Sequence, residues 1–272
     1  MDKPIGIFDS GVGGLTVARE VFNLLPHEDV VYFGDVGRYP YGGRSSEIIT
    51  RFATQDVALL LEHDVKYVIC ACNTVSAVAL DDLRDSYSIP MIGVIHPGAE
   101  AAVKATRNGR IGVIGTNATI GSNAYARSIH ERNAELKVFS LACPLFVPLA
   151  EEGYVDKEAT YLIARDYLQT MLDVEIDTLI LGCTHYPLLK HVIADVMGPE
   201  ITLIDSGEET ARAAYKTITE SGLLHSRAGQ HPSPSSEHKY FVSDVPEKFS
   251  QVATRFLGRI VDRITRVDIS TY

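Results

Sequence analysis

The sequence predicts an α/β protein of two similar domains, each a mainly parallel sheet flanked by helices, with the active site in the cleft between them. Short aliphatic and β-branched runs alternate with amphipathic segments, a pattern typical of parallel strands joined by right-handed crossovers. The order of strands and helices is repeated in the second part of the chain, where a cysteine again follows the third strand. A length of 272 residues is enough for one large or two small domains.

Composition limits the classes of function. The chain is 46% hydrophobic and 22% charged, which is typical of a globular protein rather than a disordered one. A net charge of −10 argues against nucleic acid or an anionic membrane as a partner. The N-terminus lacks a secretion signal pattern, no apolar run is long enough for a membrane span, and the four cysteines are few and unpatterned. We therefore expect a cytoplasmic protein with reduced thiols.

The first half of the chain is predicted to contain four strands, at residues 4–8, 30–35, 66–74 and 89–97. The first strand ends in a glycine-rich turn, 9–14, whose N–H groups would suit a carboxylate or other anion, and a helix follows at 15–25. Serines cap a long amphipathic helix that begins at 45–46 and continues through residue 61.

The second half repeats this order. Strands are predicted at 110–116, at 138–144, directly before Cys183, and at 201–207, with helices at about 157–172 and from Gly207 to about Ser221. A Ser/Pro/His-rich loop at 226–239 precedes a short strand at 240–242 and a terminal helix at about 246–265. We expect this tail to pack on the first half, so the predicted domains are 1–97 plus 208–272 and 98–207.

Two cysteines follow corresponding strands. Cys72 is followed by Asn73 and Thr74, and Cys183 by Thr184 and His185. Ligands of open α/β sheets bind just beyond the carboxyl ends of the strands, so both thiols are predicted to line one cleft. The alternative is that each is a small core residue, since free cysteine is often buried. For Cys70 and Cys143 we favour that packing interpretation.

A facing pair of thiols suits inversion of a carbon stereocentre, in which one base removes a proton and the other returns one. A thiol ionises near neutral pH and can act as acid or base, and Asp9 and His185 are the candidates for adjusting which thiol is charged. Simpler interpretations remain for some residues: His96 would shape a turn, Glu151 would end a solvated helix, and His185 would be a satisfied loop histidine. A non-catalytic amino-acid binding module and a thiol-dependent acyl transferase remain alternatives for the whole protein.

Several motifs resemble those of bacterial glutamate racemases, in the cofactor-independent aspartate/glutamate racemase superfamily. They span nearly the whole chain: IFDSGVGGL at 7–15, YPYG at 39–42, ACNT at 71–74, CPLFVP at 143–148, GCTHYP at 182–187 and DSG at 205–207. The resemblance implies interconversion of L- and D-glutamate without pyridoxal phosphate, metal or nucleotide, and supply of D-glutamate for peptidoglycan synthesis. It also implies a homodimer. An aspartate or other amino-acid racemase on the same scaffold is the nearest alternative.

The resemblance also assigns roles to individual residues. Cys72 would deprotonate D-glutamate with help from Asp9, and Cys183 would deprotonate L-glutamate with help from His185, with Glu151 nearby. The substrate would be held by a set of hydroxyl, amide, carboxylate, imidazole and backbone groups: Asp9, Ser10, Tyr41, Gly42, Asn73, Thr74, Thr116, Thr119, Thr184 and His185.

Overall fold

The computed structural model describes residues 2–226, 236–261 and 263–272, without the side chain of Lys248. Its strands are β1 (Ile5–Asp9), β2 (Val30–Gly34), β3 (Tyr67–Cys70), β4 (Met91–Gly93), β5 (Arg110–Gly115), β6 (Lys137–Ala142), β7 (Thr178–Gly182), β8 (Thr202–Asp205), β9 (His238–Val242) and β10 (Ile264–Arg266). Its helices are α1 (Leu15–Leu24), α2 (Ser46–Glu62), α3 (Asn73–Val78), α4 (Leu80–Ser86), α5 (Ile95–Ala105), α6 (Asn117–Gly121), α7 (Ala124–Arg132), α8 (Phe146–Glu151), α9 (Glu158–Asp173), α10 (Lys190–Met197), α11 (Ser206–Glu220) and α12 (Pro246–Leu257).

The strands form two parallel sheets with matching order, which confirms the predicted fold class. The first sheet has the order β10-β9-β2-β1-β3-β4 and the second has the order β6-β5-β7-β8. The run β2-β1-β3-β4 therefore corresponds strand for strand to β6-β5-β7-β8, as the repeat in the sequence predicts. In each sheet the first and third strands of the repeat are neighbours, so the loops that follow them meet at one edge.

The first sheet is covered by helices on both faces because its central strands are apolar on both sides. In β1, Ile5 and Ile7 pack into one buried cluster with residues of α1, α11 and α12. Phe8, on the opposite face of the strand, packs into a second cluster with residues of α2. This double cover holds β1 rigidly and fixes the position of the turn at its carboxyl end.

The C-terminal part of the chain packs on the first half, as predicted, and adds two strands to the edge of the first sheet. β9 pairs in parallel with β2, and β10 pairs with β9. The prediction of a terminal helix over 246–265 is wrong in its second part, because the helix ends at Leu257 and residues 264–266 form a strand. Most of the predicted loop at 226–239 lies outside the described residues. The division of the chain into domains stays a prediction.

The fourth strand of each repeat is shorter than predicted. β4 ends at Gly93, and Ile95 begins α5, so His96 lies in the first turn of a helix and not in the predicted turn. Its Nδ1 lies 2.9 Å from Ser128 Oγ. β8 ends at Asp205, whose carboxylate accepts hydrogen bonds from the backbone N–H groups of Gly207 and Glu208 and caps α11. In the part of the chain that the structure describes, no helix has the length and apolar character needed to cross a membrane.

Asp177, directly before β7, fixes the loop before β5, and its replacement by asparagine is expected to lower the free energy of unfolding at pH 7 by about 2 kcal/mol. The buried carboxylate accepts hydrogen bonds from Thr106 Oγ1 at 2.7 Å and from the backbone N–H groups of Arg107 and Asn108, each at 2.6 Å. Burial opposes the charge, but these bonds together lower the pKa of Asp177.

Because the folded pKa is depressed, this stabilisation is complete above the unfolded value of about 4 and is lost as pH falls through the folded value. Urea unfolding at pH 7 and at pH 3 should therefore show the parent and the Asp177→Asn variant converging in acid. Asp166→Asn, at an exposed position of α9, is the control and should leave the free energy of unfolding unchanged. An equal difference at both pH values would contradict the prediction.

Candidate active site

A cavity of about 360 Å³ lies between the carboxyl ends of the two sheets. Both predicted thiols line it, Cys72 after β3 of the first sheet and Cys183 after β7 of the second, and each is only 5–6% exposed. Most of the predicted site residues line the same cavity: Ser10, Tyr41, Gly42, Cys72, Asn73, Thr74, Thr116, Glu151, Cys183, Thr184 and His185. Asp9 and Thr119 lie outside the lining, each fully buried behind it.

Cys72 lies in surroundings that favour its protonated form. The residue precedes α3, and its thiol donates to Ser10 Oγ at 3.4 Å. Burial and, second, the neighbouring Asp9 carboxylate raise the pKa of the Cys72 thiol to about 12. This sulfur therefore carries a proton at neutral pH unless a bound ligand changes its surroundings.

Asp9 is the last residue of β1, and its side chain is hydrogen-bonded to the glycine-rich turn that follows. Its Oδ2 accepts a hydrogen bond from the backbone N–H of Gly11 at 2.9 Å. Asp9 thus occupies the Gly11 N–H of the turn itself, and the expectation that the turn's N–H groups bind an external anion stays a prediction. Burial raises the pKa of the Asp9 carboxyl, and its Oδ1 is buried with no hydrogen-bond partner among the described residues.

Cys183 lies beside a basic residue, His185, whereas Cys72 lies beside the carboxyl group of Asp9. His185 Nδ1 lies 3.8 Å from the Cys183 sulfur, and His185 Nε2 lies 2.9 Å from Glu151 Oε1. Burial alone would lower the pKa of His185, but hydrogen bonding with Cys183 and Glu151 raises it to about 10. The imidazole is thus a cation at neutral pH that can stabilise negative charge on the Cys183 sulfur. Glu151 is a partner of His185 and not the solvated helix end that its neighbours in sequence indicate.

Hydroxyl and amide groups from both sheets meet above the thiols. Thr74 Oγ1 lies 3.0 Å from Thr116 Oγ1, which lies 3.0 Å from Thr119 Oγ1. Asn73 Oδ1 accepts a hydrogen bond from Tyr125 at 2.7 Å, while within the described ranges its buried Nδ2 has no partner. An unpaired buried amide is costly, so this group is suited to donate to a bound carboxylate.

The side chain of Tyr41 does not contribute its hydroxyl to the cavity. That hydroxyl donates to the buried carboxylate of Asp35 and lies 3.3 Å from Asp56 Oδ2. If Tyr41 and Gly42 hold a substrate, they do so through the backbone. Seven further residues line the cavity that were not predicted as site residues, although most belong to the YPYG and CPLFVP motifs: Tyr39, Pro40, Gly43, Asn117, Pro144, Val147 and Pro148.

The loops of the two sheets contact each other closely around the cavity. Thr16 Oγ1, on α1, donates to the backbone carbonyl of Thr184 at 2.9 Å. A Cβ at Gly13 would lie 2.3 Å from Thr184 Oγ1 and 2.5 Å from His185 Cε1, so only glycine fits at this position. Gly13 is therefore required because the loop after β7 of the second sheet approaches the turn directly.

Chemically, the cavity offers two sulfur acid–base groups that come from different sheets, with hydrogen-bond donors between them. Among the residues that the structure describes, no group of His, Cys, Asp and Glu side chains is arranged to hold a metal ion. A small amino acid bound at the donors would have a proton acceptor or donor from each sheet.

Comparison with known proteins gives one consistent result. The family model for Asp/Glu/hydantoin racemases matches residues 27–214. The chain is 50% identical to the glutamate racemase of Geobacter metallireducens over 98% of this chain and 97% of that one. It is similar to the crystal structure of the glutamate racemase isoform RacE1 of Bacillus anthracis, with a TM-score of 0.92, 41% identity and coverage of 98% and 97%. The glutamate racemase of Francisella tularensis, crystallised in complex with D-glutamate, has a TM-score of 0.92, 39% identity and coverage of 100% and 99%.

Proposed function

This chain belongs to the Asp/Glu/hydantoin racemase family, and we propose that it interconverts L- and D-glutamate with Cys72 and Cys183 as its two acid–base groups. The observation that carries the proposal is the position of the two thiols, which follow corresponding strands of matching sheets and line one cavity. A single base cannot readily serve both faces of a carbon centre, whereas one thiol from each sheet can.

The surroundings of the two thiols favour different protonation states, and therefore different roles in each direction of the reaction. Hydrogen bonding with Cys183 and Glu151 raises the pKa of His185, so its imidazolium can stabilise a thiolate at Cys183, while burial and Asp9 raise the pKa of Cys72 and favour its protonated form. In the direction from L to D, Cys183 removes the α-proton of L-glutamate and Cys72 supplies a proton to the opposite face. The reverse reaction begins with the proton on Cys183 and the charge on Cys72, with the buried Asp9 carboxyl next to it.

The main barrier is the weak acidity of the α-proton beside a carboxylate. Negative charge that develops on that carboxylate would be stabilised by the Asn73 amide and the hydroxyls of Thr74, Thr116 and Thr184. Preorganised donors of this kind are usually the largest contribution to catalysis. Cys72 and Cys183 are only 5–6% exposed, so the proton transfers take place in largely buried surroundings, where these interactions are stronger.

Circular dichroism of L-glutamate incubated with the purified chain, without added cofactor, tests the function. The signal should decay to zero as the racemate forms, and the opposite signal of D-glutamate should also decay to zero. The exchange of the α-proton in D₂O, compared for glutamate and aspartate, distinguishes the two substrates. Faster exchange with aspartate would replace the proposed substrate, and no exchange with either would favour a non-catalytic binding protein.

Three further proposals follow from the family. D-Glutamate produced by this chain would supply peptidoglycan synthesis, the protein would act in the cytoplasm, and it would form a homodimer. Sedimentation of the purified chain at micromolar concentration would show a species of twice the chain mass if the last proposal holds.

A further inference from the structure

Tyr39 lies where the loops of the two sheets meet, and the proposed proton transfer leaves it without a role. It belongs to the loop after β2 and lines the active-site cavity. Its ring is stacked on the His185 imidazole, with ring centroids 6.2 Å apart and planes 25° apart. On the first-sheet side the ring lies against Gly11, where an added Cβ would be 3.2 Å from Tyr39 Cδ2. The ring is therefore held between the two sheets.

The Tyr39 phenol and the Glu151 carboxylate line the same two cavities, close enough for the hydroxyl to interact with the carboxylate, which itself lies 2.9 Å from His185 Nε2. Burial, together with the negative charges of Glu151 and Cys183, raises the pKa of the phenol well above its usual value. The hydroxyl thus keeps its proton and acts as the donor. The result is a continuous series of contacts from Tyr39 through Glu151 and His185 to the Cys183 sulfur.

Glu151 needs such a restraint. It is the last residue of the short helix α8, and its backbone carbonyl accepts a hydrogen bond from Arg255 of α12. Its main chain is therefore held, while its side chain is 27% exposed. Tyr39 and Glu151 also line a second cavity of about 220 Å³, so together they form the wall between it and the active-site cavity. Without the phenol, the carboxylate has space to turn away from His185.

We propose that Tyr39 is a positioning residue for the Cys183 side of the site: its hydroxyl holds the Glu151 carboxylate on His185, and its ring holds the imidazole beside the sulfur. This inference rests on the proposed racemase function. Tyr39 thereby couples the first sheet to the acid–base group of the second. Cys72, whose neighbours are Ser10 and Asp9, lies outside this series of contacts.

The Tyr39→Phe variant tests the proposal, because it removes the hydroxyl and keeps the ring and the wall between the cavities. We expect kcat/KM to fall on the order of tenfold, as for loss of a hydrogen bond to a charged group. The deuterium isotope effect on kcat/KM should rise with [2-²H]-L-glutamate and fall with [2-²H]-D-glutamate, because proton abstraction by Cys183 becomes more rate-limiting. An isotope effect does not depend on the concentration of active enzyme, so partial misfolding cannot imitate this result.

Two controls make the outcome specific. Tyr215→Phe, on the exposed side of α11, should leave rates and isotope effects at the parent's values. In a Glu151→Ala background, Tyr39→Phe should cause no further loss, because the hydroxyl acts through Glu151. Unchanged isotope effects in Tyr39→Phe, or an equal loss in the Glu151→Ala background, would overturn the proposal. A parent that fails to racemise glutamate would instead overturn the proposed function.

Discussion

Replacing Cys72 with alanine is expected to stop racemisation of glutamate while solvent exchange of the L-glutamate α-proton continues. The thiol that supplies a proton to the far face is lost, so kcat/KM for racemisation should fall by about 10²–10⁴-fold. Cys183, next to His185, can still remove and return the proton on its own face. Cys183→Ala should show the opposite pattern, with exchange from D-glutamate alone. Proton NMR in D₂O measures both exchange and inversion.

Cys143→Ala is the matched control for these variants. Cys143 is also a fully buried free cysteine of the second sheet, but it lies outside the cavity lining, so its variant should keep the parent's activity. Racemisation at the parent's rate by both alanine variants would contradict the two-thiol mechanism and favour a binding protein. Loss of activity in only one variant would indicate chemistry that needs a single thiol, such as acyl transfer.

The second large effect is expected from Glu151→Gln, which keeps the shape of the side chain and removes its charge. The Glu151 carboxylate is one of the groups that raise the pKa of His185 to about 10. In the variant the pKa of His185 should fall, so a larger share of the imidazole should be neutral at pH 8, and kcat at that pH should drop on the order of tenfold to a hundredfold. Titration of the His185 Cε1 proton by NMR, with the rate measured at the same pH values, checks both parts.

The sign of the pH dependence follows from the direction of the shift. Because the folded pKa of His185 is raised above the unfolded value of about 6.5, its contribution to stability is complete below pH 6.5 and is lost as pH rises through about 10. Glu152→Gln is the control, at the adjacent exposed residue, and should leave the titration unchanged. A His185 that titrates near 6.5 in the parent would contradict the argument.

The central strands and their repeat could be predicted because parallel strands buried on both faces are continuous apolar runs. β10 could not, since its three residues lie at a sheet edge, are largely exposed, and follow directly after a helical pattern. The fourth strands were predicted too long for a related reason. Gly93 ends β4, but the apolar residues Val94 and Ile95 follow it and α5 begins at once, so the apolar run continues past the end of the strand.

Within the site, position along the chain predicted which residues follow the strands but not where their side chains point. Tyr41 was expected to hold substrate, yet its hydroxyl is directed to Asp35 in the same loop and towards Asp56 of α2. Glu151 looked solvated because its neighbours in sequence are polar, and its partner His185 is distant along the chain. These contacts depend on how loops and helices pack beside each sheet, and the residues next to Tyr41 and Glu151 in the sequence do not reveal them.

The two sulfurs have unlike neighbours, a carboxyl and a hydroxyl beside Cys72 and an imidazolium beside Cys183. Enantiomers have equal free energies in water, so the equilibrium constant between them is unity and kcat/KM must be the same in both directions. The unlike neighbours can therefore make the two directions differ only in kcat and in KM, not in their ratio. The direction with the larger kcat must have the larger KM by the same factor. The chain can hold one enantiomer more tightly, but thermodynamics prevents it from accumulating that enantiomer unless another reaction removes the product.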